Sequence, residues 1–285
     1  MYREAEKRYL ISERRALTDG GTISVCEYSL TFERLPREFE GLRLLHLTDL
    51  HAKSFGQGNK GLVRACAAER PDIIFFTGDI FSRDEDISAI ERKLPMMRAL
   101  NDIAPLCCVF GNHEVDAPKN AERFAELLRD IGVTVLRNER RRLFRGRGHI
   151  DLCGLELAPE FYRSPKGHYL GLEKVTPQVM ERSLGTADED GFTLLLAHTP
   201  LPFEQYAEWG ADLTLSGHIH GGMVRLGGIG LLSPERVLFP RYSKGIYTRE
   251  TSRGRAVLAL SAGLGKFRVN DPPMISVIVI HRKEY

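Results

Sequence analysis

The sequence lacks any long hydrophobic run, because no stretch of about 18 consecutive apolar residues occurs along its 285 residues. A membrane-spanning helix needs about 20 predominantly apolar residues, so we expect none in this chain. Peripheral contact with a membrane stays open and has no support in the composition. The first 21 residues are charged throughout and lack the apolar core of a secretion signal, which leads us to expect a cytoplasmic protein.

The chain has few cysteines, and its acidic and basic side chains are nearly equal in number. The chain has five cysteines, with neither a C-x-x-C pair nor a zinc-ribbon spacing, so we expect reduced and mostly buried thiols. Forty basic side chains stand against 38 acidic ones, a formal net charge of +2. This balance is not typical of a protein that wraps nucleic acid, and we expect no nucleic-acid partner.

The length of 285 residues is within the range of one α/β domain. We therefore predict a single domain over 1–285. Its core is expected to begin at about residue 22, after an N-terminal extension, 1–21, that forms a short helix. Nothing in the sequence defines the oligomeric state.

Strand and helix patterns alternate through the first half. The predicted elements are strand 22–32, strand 42–48, helix 62–69, strand 72–77, helix 87–101, strand 105–110 and helix 120–131. Such βαβ units build a largely parallel sheet that is covered on both faces.

The second half is mostly strand. Further strands are predicted for 133–136, 141–144, 149–155, 192–197, 211–215, 255–261 and 275–281, and residues 223–254 for a long irregular loop. The fold class is therefore α/β (α+β sandwich), with two mixed β-sheets packed face to face and flanked by helices.

Polar side chains follow five of these strands. They are Asp49, His51, Asp79, Asn112, His113, His198, His218 and His220. Because ligands bind at the carboxyl ends of strands in open α/β sheets, we expect these side chains to converge on one edge. His218 and His220 are two apart in the glycine-flanked stretch SGHIHGG, and on extended backbone they would point to the same face.

Apart from His113, this set contains two carboxylates, one amide and four imidazoles. These seven side chains are too many for one tetrahedral zinc ion. The set also lacks the thiolate ligands that are common in structural zinc sites. It suits two divalent ions that share a carboxylate, and manganese, iron and zinc all accept such ligands. Two ions against two carboxylates leave a net charge of about +2, which attracts an anionic phosphate.

Taken in order, the motifs resemble the calcineurin-like metallophosphoesterase superfamily. They are D-x-H at Asp49, G-D at Gly78, G-N-H-E at Gly111, the lone His198 and G-H-x-H at Gly217. The resemblance extends from about Thr22 to the C-terminus and implies the calcineurin-like phosphoesterase fold. It also implies two metal sites: Asp49, His51, Asp79 and His220 for one ion, and Asp79, Asn112, His198 and His218 for the other.

The resemblance further implies a phosphodiesterase that attacks a small phosphate ester with a metal-bridging hydroxide. Asn112 would help to stabilise the developing charge, and His113 would contact the phosphate and protonate the leaving group. A related bacterial branch includes pyrophosphatases that act on a nucleotide-sugar lipid, which is the alternative substrate class. Glu114 and Ser82 stand where the family pattern more often has aspartate, and we expect both departures to leave the site intact.

Three other features compete with this interpretation. The stretch 56–61 satisfies G-x-G-x-x-G, but residues 49–55 separate it from the preceding strand, which disfavours a dinucleotide site. A metal-binding scaffold without catalysis is the non-enzymatic alternative. An arginine cluster could bind the phosphates of nucleic acid or of an anionic lipid surface, but it is predicted to form the solvated face of a β-hairpin. Its members are Arg137, Arg140, Arg141, Arg142, Arg145 and Arg147.

Some basic and imidazole side chains lie outside the motifs. Lys244, Arg241 and Arg268, in predicted loops of the second half, are candidates for contact with the substrate phosphate. His46 lies inside the first strand of the βαβ pattern, so we expect a buried, hydrogen-bonded residue.

Overall fold

Two β-sheets form the centre of this computed structural model, which describes residues 9–164, 172–226, 229–234, 236–265 and 268–284. The strands are β1 (Leu10–Thr18), β2 (Gly21–Phe32), β3 (Leu42–Leu47), β4 (Ile73–Thr77), β5 (Leu106–Val109), β6 (Thr134–Val135), β7 (Glu139–Arg145), β8 (Gly148–Leu155), β9 (Thr193–Ala197), β10 (Leu213–Ser216), β11 (Val224–Leu226), β12 (Ile229–Leu232), β13 (Gly245–Thr251), β14 (Gly254–Leu260) and β15 (Met274–Arg282). The helices are α1 (Lys60–Ala68), α2 (Ile87–Glu91), α3 (Leu94–Ile103), α4 (Asn112–Val115), α5 (Pro118–Asp130), α6 (Pro177–Leu184) and α7 (Phe203–Trp209).

Both large sheets are mixed. The seven-stranded sheet has the order β1-β2-β15-β3-β4-β5-β6, in which β3 to β6 run parallel and β15 is antiparallel to β3. The six-stranded sheet has the order β13-β14-β10-β9-β8-β7, with four parallel strands between antiparallel edges. A small third sheet contains β11 and β12. The predicted fold class, two mixed sheets with helices, is confirmed.

The apolar core lies on both faces of the seven-stranded sheet. Phe75 of β4 points between the sheets and packs in one cluster with Leu194 and Leu215 of the other sheet. Its neighbours Ile74 and Phe76 point the opposite way, into the cluster beneath the helices. Because strand side chains alternate, a strand buried on both faces is apolar along its whole length, as β4 is.

Helices cover the outer faces of the sandwich. In α5 the buried residues Ala121, Phe124, Ala125 and Leu128 recur at helical spacing and pack on the seven-stranded sheet. Helices α6 and α7 cover the other sheet, packing with its outward-facing apolar side chains. None of the described helices combines the length and apolar character needed to cross a bilayer.

The expected helix at the N-terminus is wrong for the part that the structure describes. Leu10–Thr18 is instead β1, which pairs antiparallel with β2. It is an edge strand whose residues are all exposed or half-buried, so its sequence shows little of the alternation that marks a buried strand. Residues 1–8 lie outside the described part.

Two other expectations also need correction. The region 223–254 is not one irregular loop, because it contains β11, β12 and β13, and β13 forms an edge of the six-stranded sheet. The predicted helix 87–101 is divided into α2 and α3, and Pro95 lies in the first turn of α3, where proline begins a helix more readily than it continues one. Neither α6 nor α7 was predicted.

The structure also describes the glycine-rich stretch, most of the arginine cluster and His46. The glycine-rich stretch 56–61 is separated from β3 by residues 48–55, so its first glycine does not come off a strand as a dinucleotide site requires. Most of the arginine cluster lies on the β7–β8 hairpin, with Arg141 and Arg142 more than half exposed. His46 is fully buried, and its Nε2 lies 2.7 Å from Thr77 Oγ1, as expected.

The buried His46 gives a prediction for acid stability. Burial lowers the pKa of His46 to about 3, although the Asp49 carboxylate opposes the shift. The unfolded chain takes up this proton below about pH 6.5, whereas the folded protein does not until about pH 3. Stability should therefore decrease as the pH falls from 6.5 toward 3, by up to about 1.4 kcal/mol per pH unit from this residue.

The measurement is urea unfolding of the wild type and of His46→Gln, whose amide does not titrate, at several pH values between about 7 and 5. We expect the wild type to lose stability more steeply than the variant as the pH falls. Parallel curves for the two proteins would show that His46 does not carry the pH dependence.

Candidate metal centre

The candidate site lies at one edge of the sandwich, where five strands end. Asp49 and His51 follow β3, Asp79 follows β4, Asn112 and His113 follow β5, His198 follows β9, and His218 and His220 follow β10. All eight residues that the sequence singled out are therefore brought to the same edge, and the distances below show that their polar atoms converge.

Five of these residues have φ angles in the left-handed region, which residues other than glycine rarely adopt. They are Asp49 (φ 54°), His51 (φ 51°), Asp79 (φ 51°), His218 (φ 71°) and His220 (φ 51°). Such strain persists where surrounding contacts hold it, and it is concentrated at functional sites. The Asp49 N–H donates to Gly78 O and the His51 N–H to Asp79 O, both at 3.0 Å, which fixes the first two loops side by side.

A first group of donors contains Asp49, His51 and His220. The Nε2 atoms of the two imidazoles lie 3.4 Å apart, and their rings stack at an interplanar angle of 14°. Asp49 Oδ1 lies 3.6 Å from His220 Nε2. Three polar atoms, two from the loop after β3 and one from the loop after β10, thus face a common point.

A second group contains Asp79, Asn112, His198 and His218, arranged around His198 Nε2. This nitrogen lies 3.3 Å from Asp79 Oδ2, 3.2 Å from Asn112 Oδ1 and 3.2 Å from His218 Nδ1. Asp79 Oδ2 also lies 3.7 Å from Nε2 of His51 in the first group. Asp79 therefore faces both groups, and Asp49 Oδ1 of the first group lies 3.9 Å from His198 Nε2 of the second.

The donor set fits divalent metal ions. Two ligand atoms that are each about 2.1 Å from one ion lie roughly 3.0–3.4 Å apart. The two imidazole nitrogens of the first group have this spacing, as do the atoms around His198 Nε2 in the second, and Asp49 Oδ1 lies slightly farther from His220 at 3.6 Å. The carbonyl oxygen of Thr77 can only accept a hydrogen bond, so Nδ1 of His198, 2.7 Å away, donates to it and Nε2 is left toward the site. A backbone carbonyl thus orients this imidazole as metal-binding histidines require.

The electrostatics of the pocket favour positive charge. Burial alone would raise the pKa of both buried carboxyls, yet the neighbouring imidazoles hold the pKa of Asp49 below its usual range and that of Asp79 well below it. Burial disfavours the charged form of His198, but Asp79 and Asp49 raise its pKa to about 10. The space beside His198 Nε2 therefore attracts a cation, and either a proton or a metal ion can supply the charge.

Glu114 holds two of the loops together. Its fully buried carboxylate accepts four backbone hydrogen bonds, from the N–H groups of Asp79 (2.8 Å), Ile80 (2.7 Å), Phe81 (3.1 Å) and Gly111 (2.8 Å). The loops after β4 and β5 are thereby fixed to one side chain. The glutamate that departs from the commoner aspartate is thus well accommodated here.

Two glycines of the motifs are required by close approach to the carboxylates. A Cβ atom at Gly217 would lie 2.4 Å from Asp49 Oδ2, and one at Gly111 would lie 2.3 Å from Asp79 Oδ1. Both distances are far shorter than the van der Waals distance between a carbon and an oxygen atom. Any side chain at these positions would displace a carboxylate of the site.

His113 borders the site on one side. The backbone N–H of Arg83 donates to His113 Nδ1 at 3.0 Å, so a neutral ring carries its proton on Nε2, which lies 4.0 Å from Asp79 Oδ2. Burial lowers the pKa of His113 to about 4, against the opposing effect of Asp79. The ring is therefore neutral at pH 7, whereas a general acid that is charged before it acts has a pKa near the working pH.

The cleft beside the donors has a volume of about 540 Å³. His51, His113, His220, Met223 and Pro234 are among the residues that line it. Ser82 also lines it, and its backbone N–H donates to Glu85 Oε2 at 2.7 Å.

Sequence reasoning missed a group of residues beside His113. The guanidinium groups of Arg83 and Arg163 both bind the carboxylate of Asp116, which is almost fully buried. The ring of Tyr162 lies 5.6 Å from that of His218, centroid to centroid. Arg163 and Tyr162 come from the connection between β8 and α6, where no motif marks them. Arg83 follows the G-D motif closely, which is the one signal that could have identified it.

The three basic candidates for phosphate contact do not line this cleft. Arg241 pairs with Glu204 at 2.6 Å, and Lys244 Nζ lies 2.7 Å from Asp271 Oδ1. Arg268 is nearly buried and donates to backbone carbonyls while facing the same aspartate. Their charges are engaged in holding loops together, which corrects that expectation.

The sequence profile of the calcineurin-like phosphoesterases matches residues 42–222, and the chain belongs to this family. Membership makes it a metal-dependent phosphoesterase, as the ordered motifs predicted.

Three curated relatives are similar over much of their length. The uncharacterized metallophosphoesterase YkuE of Bacillus subtilis is 26% identical over 251 residues, which are 87% of this chain and 80% of that protein. An uncharacterized metallophosphoesterase of Aquifex aeolicus is 26% identical, covering 92% of this chain and 93% of its own. The phosphodiesterase YaeI of Escherichia coli is 27% identical, covering 65% and 62%.

The four bonds to Glu114 give a second prediction. In Glu114→Gln an amide N–H₂ replaces one acceptor oxygen and leaves buried backbone N–H groups without partners, at a cost of about 1–3 kcal/mol each. We expect a free energy of unfolding lower by at least about 2 kcal/mol and metal affinity lower by about 10–100-fold.

Urea unfolding and metal titration would measure both quantities. Glu126→Gln on the exposed face of α5 is the matched control, which should change stability by less than about 1 kcal/mol. Equal stability of the two variants would mean that Glu114 does not hold the loops.

Proposed function

We propose that this chain is a phosphodiesterase that binds two divalent metal ions and hydrolyses small phosphate esters. The proposed ligands are Asp49, His51, Asp79 and His220 for one ion, and Asp79, Asn112, His198 and His218 for the other. The observation that carries the proposal is the position of Asp79, whose Oδ2 faces His198 of one group at 3.3 Å and His51 of the other at 3.7 Å. Manganese, iron and zinc all suit this donor set.

The charge of such a centre selects an anionic substrate. Divalent ions held here would supply Lewis-acid stabilisation of phosphoryl oxygens and a nucleophile at neutral pH. Their four positive charges exceed the two negative charges of Asp49 and Asp79, leaving about +2 at the end of the cleft. A phosphate ester is the substrate that this excess and the family both favour.

Two side chains next to the donors have groups free to act on the phosphate. Because Asn112 Oδ1 faces His198 at 3.2 Å, its amide N–H₂ is left to donate to a phosphoryl oxygen. His113 holds its proton on Nε2 while Arg83 N–H occupies Nδ1. We propose that His113 donates this hydrogen to the leaving oxygen, first as a hydrogen bond and then as the proton, and that Nε2 regains a proton from water while the Arg83 N–H stabilises the ring.

Other parts of the proposal rest on less direct support. A diester is favoured because the relative YaeI is named a phosphodiesterase. A cytoplasmic location is supported by the five cysteines, which are all free and buried. A single domain is supported by β15, which lies between β2 and β3 and so joins distant parts of the chain in one sheet.

The test is hydrolysis of bis(p-nitrophenyl) phosphate and of p-nitrophenyl phosphate by metal-stripped protein reconstituted separately with manganese, iron(II) and zinc. We expect activity to return with metal, in proportion to occupancy up to two ions per chain, and to be higher on the diester. Preference for the monoester would overturn the assignment as a diesterase. Two ions bound without activity on either ester, or on a pyrophosphate diester, would favour the scaffold alternative.

The role of His113 can be tested with leaving groups of different acidity. His113→Ala should reduce kcat by about 10²–10⁴-fold on an alkyl phosphodiester, whose departing alkoxide needs a proton, and far less on the nitrophenyl ester. His149→Ala on the β7–β8 hairpin is the control and should change neither. Equal losses on both esters would remove the proposed proton donation and leave His113 a binding role.

A further inference from the structure

The outer edge of β1 has no partner strand in the described part of the chain. Strand β1 ends the seven-stranded sheet and pairs only with β2. Apart from the bonds to β2, Leu10–Thr18 makes no backbone hydrogen bond with any described residue. The N–H and C=O groups on its outer side therefore form a template onto which another strand can be added.

One face of β1 carries alternating apolar and charged side chains that the described chain leaves exposed. Residues two apart on a strand point to the same face. The residues of this face are Ile11, Glu13, Arg15 and Leu17, and all four are exposed. Leu17 is 85% exposed, more than any other large apolar residue in the described part, and Ile11 is 60% exposed. Burial of these two side chains would favour association.

The two charged side chains of this face have little to bind within the described chain. Arg15 makes no hydrogen bond or ion pair with any described residue. Glu13 accepts one hydrogen bond, from Ser24 Oγ to its Oε1 at 2.7 Å, and has no cation beside it among the described residues. Each charge can therefore pair with an opposite charge that is supplied from outside.

The sequence of this face is complementary to itself. Two copies of β1 that pair antiparallel about Arg14 place Glu13 of each strand opposite Arg15 of the other. The same register places Leu17 of each strand opposite Ile11 of the other. Directly opposite residues share a face and interact, so this register joins unlike charges and apolar side chains. A register centred on Glu13 or on Arg15 would instead place like charges opposite one another, which is destabilising.

The central Arg14 does not oppose this pairing, because its charge is already neutralised. It lies on the other face of β1, as does Ala16, which packs against the core cluster beneath the helices. The Arg14 guanidinium binds the carboxylates of Glu27, at 3.1 Å, and of Glu69. Two copies of Arg14 that meet at the centre of the paired strands thus each keep their own carboxylate partners.

We propose that a second copy of this chain adds its β1 to β1 in the register centred on Arg14, which joins the two seven-stranded sheets into one. Strand β1 runs parallel to β3, because β2 and β15 are parallel to each other and antiparallel to β1 and β3 respectively. The twofold axis reverses this direction in the second copy, so the two candidate metal centres lie at opposite ends of the joined sheet. The pairing goes beyond the proposed hydrolysis and requires neither metal nor turnover.

The experiment is sedimentation velocity of the full-length protein over a range of concentrations, which gives the dissociation constant of the dimer. We expect a species of twice the chain mass for the wild type. Glu13→Arg alone, or Arg15→Glu alone, places like charges opposite one another at both symmetric positions and should raise the dissociation constant by about tenfold or more. The double variant, Glu13→Arg with Arg15→Glu, restores unlike charges and should recover most of the lost affinity.

Phe144→Asp is the matched control, because Phe144 is 72% exposed on the hairpin at the edge of the other large sheet. It should leave the dissociation constant unchanged, and circular dichroism should show the same fold for every variant. A wild type that stays monomeric at all concentrations would overturn the proposal. So would a double variant that associates no better than the single ones, or a dimer that Phe144→Asp dissociates and Glu13→Arg does not.

Discussion

Asp49 and Asp79 place two negative charges inside a folded protein, and much of the surrounding structure serves to keep them there. Both are buried, and the groups that face them include imidazoles and backbone N–H groups. Their loops adopt left-handed backbone, and glycines pass within reach of both carboxylates. The buried charges and the strained backbone are tolerated because the strands beneath the loops are rigid and buried on both faces. The site is therefore a property of the sandwich as a whole.

The sequence was most informative where an apolar strand is followed directly by polar side chains of the site. Strands β3, β4, β5, β9 and β10 are largely apolar, and polar residues follow each of them, so both the strands and the edge they share could be predicted. The likeness to the phosphoesterases rested on the same five strand ends, which explains why the fold class and the family were predicted together. The ligand assignment itself remains a prediction about these side chains.

The predictions from the sequence failed where the structure of a segment depends on the strands and loops that it contacts. Strand β1 is an exposed edge that pairs with β2, and its residues show no periodicity that would distinguish it from a charged helix. In the region 223–254, β11 pairs with β12 and β13 pairs with β14, so these strands are defined by their partners and not by a local pattern. Glu114 was noted as a departure from a motif, but its four backbone bonds depend on two loops whose approach no local pattern reveals. The same holds for Tyr162 and Arg163, which reach the site from a connection without a motif.

The position of β15 has a consequence for how the site comes into being. This strand lies between β2 and β3, and its residue Ser276 pairs with His46 across 230 positions of sequence. The family match ends at residue 222, so it includes all seven proposed ligands and excludes β15. Until β15 is in place, β3 has an open edge, and the loop that carries Asp49 and His51 grows from a strand supported on one side only. A chain can thus possess every donor atom and still lack part of the framework that aims them, because that framework includes a strand from the far end of the sequence.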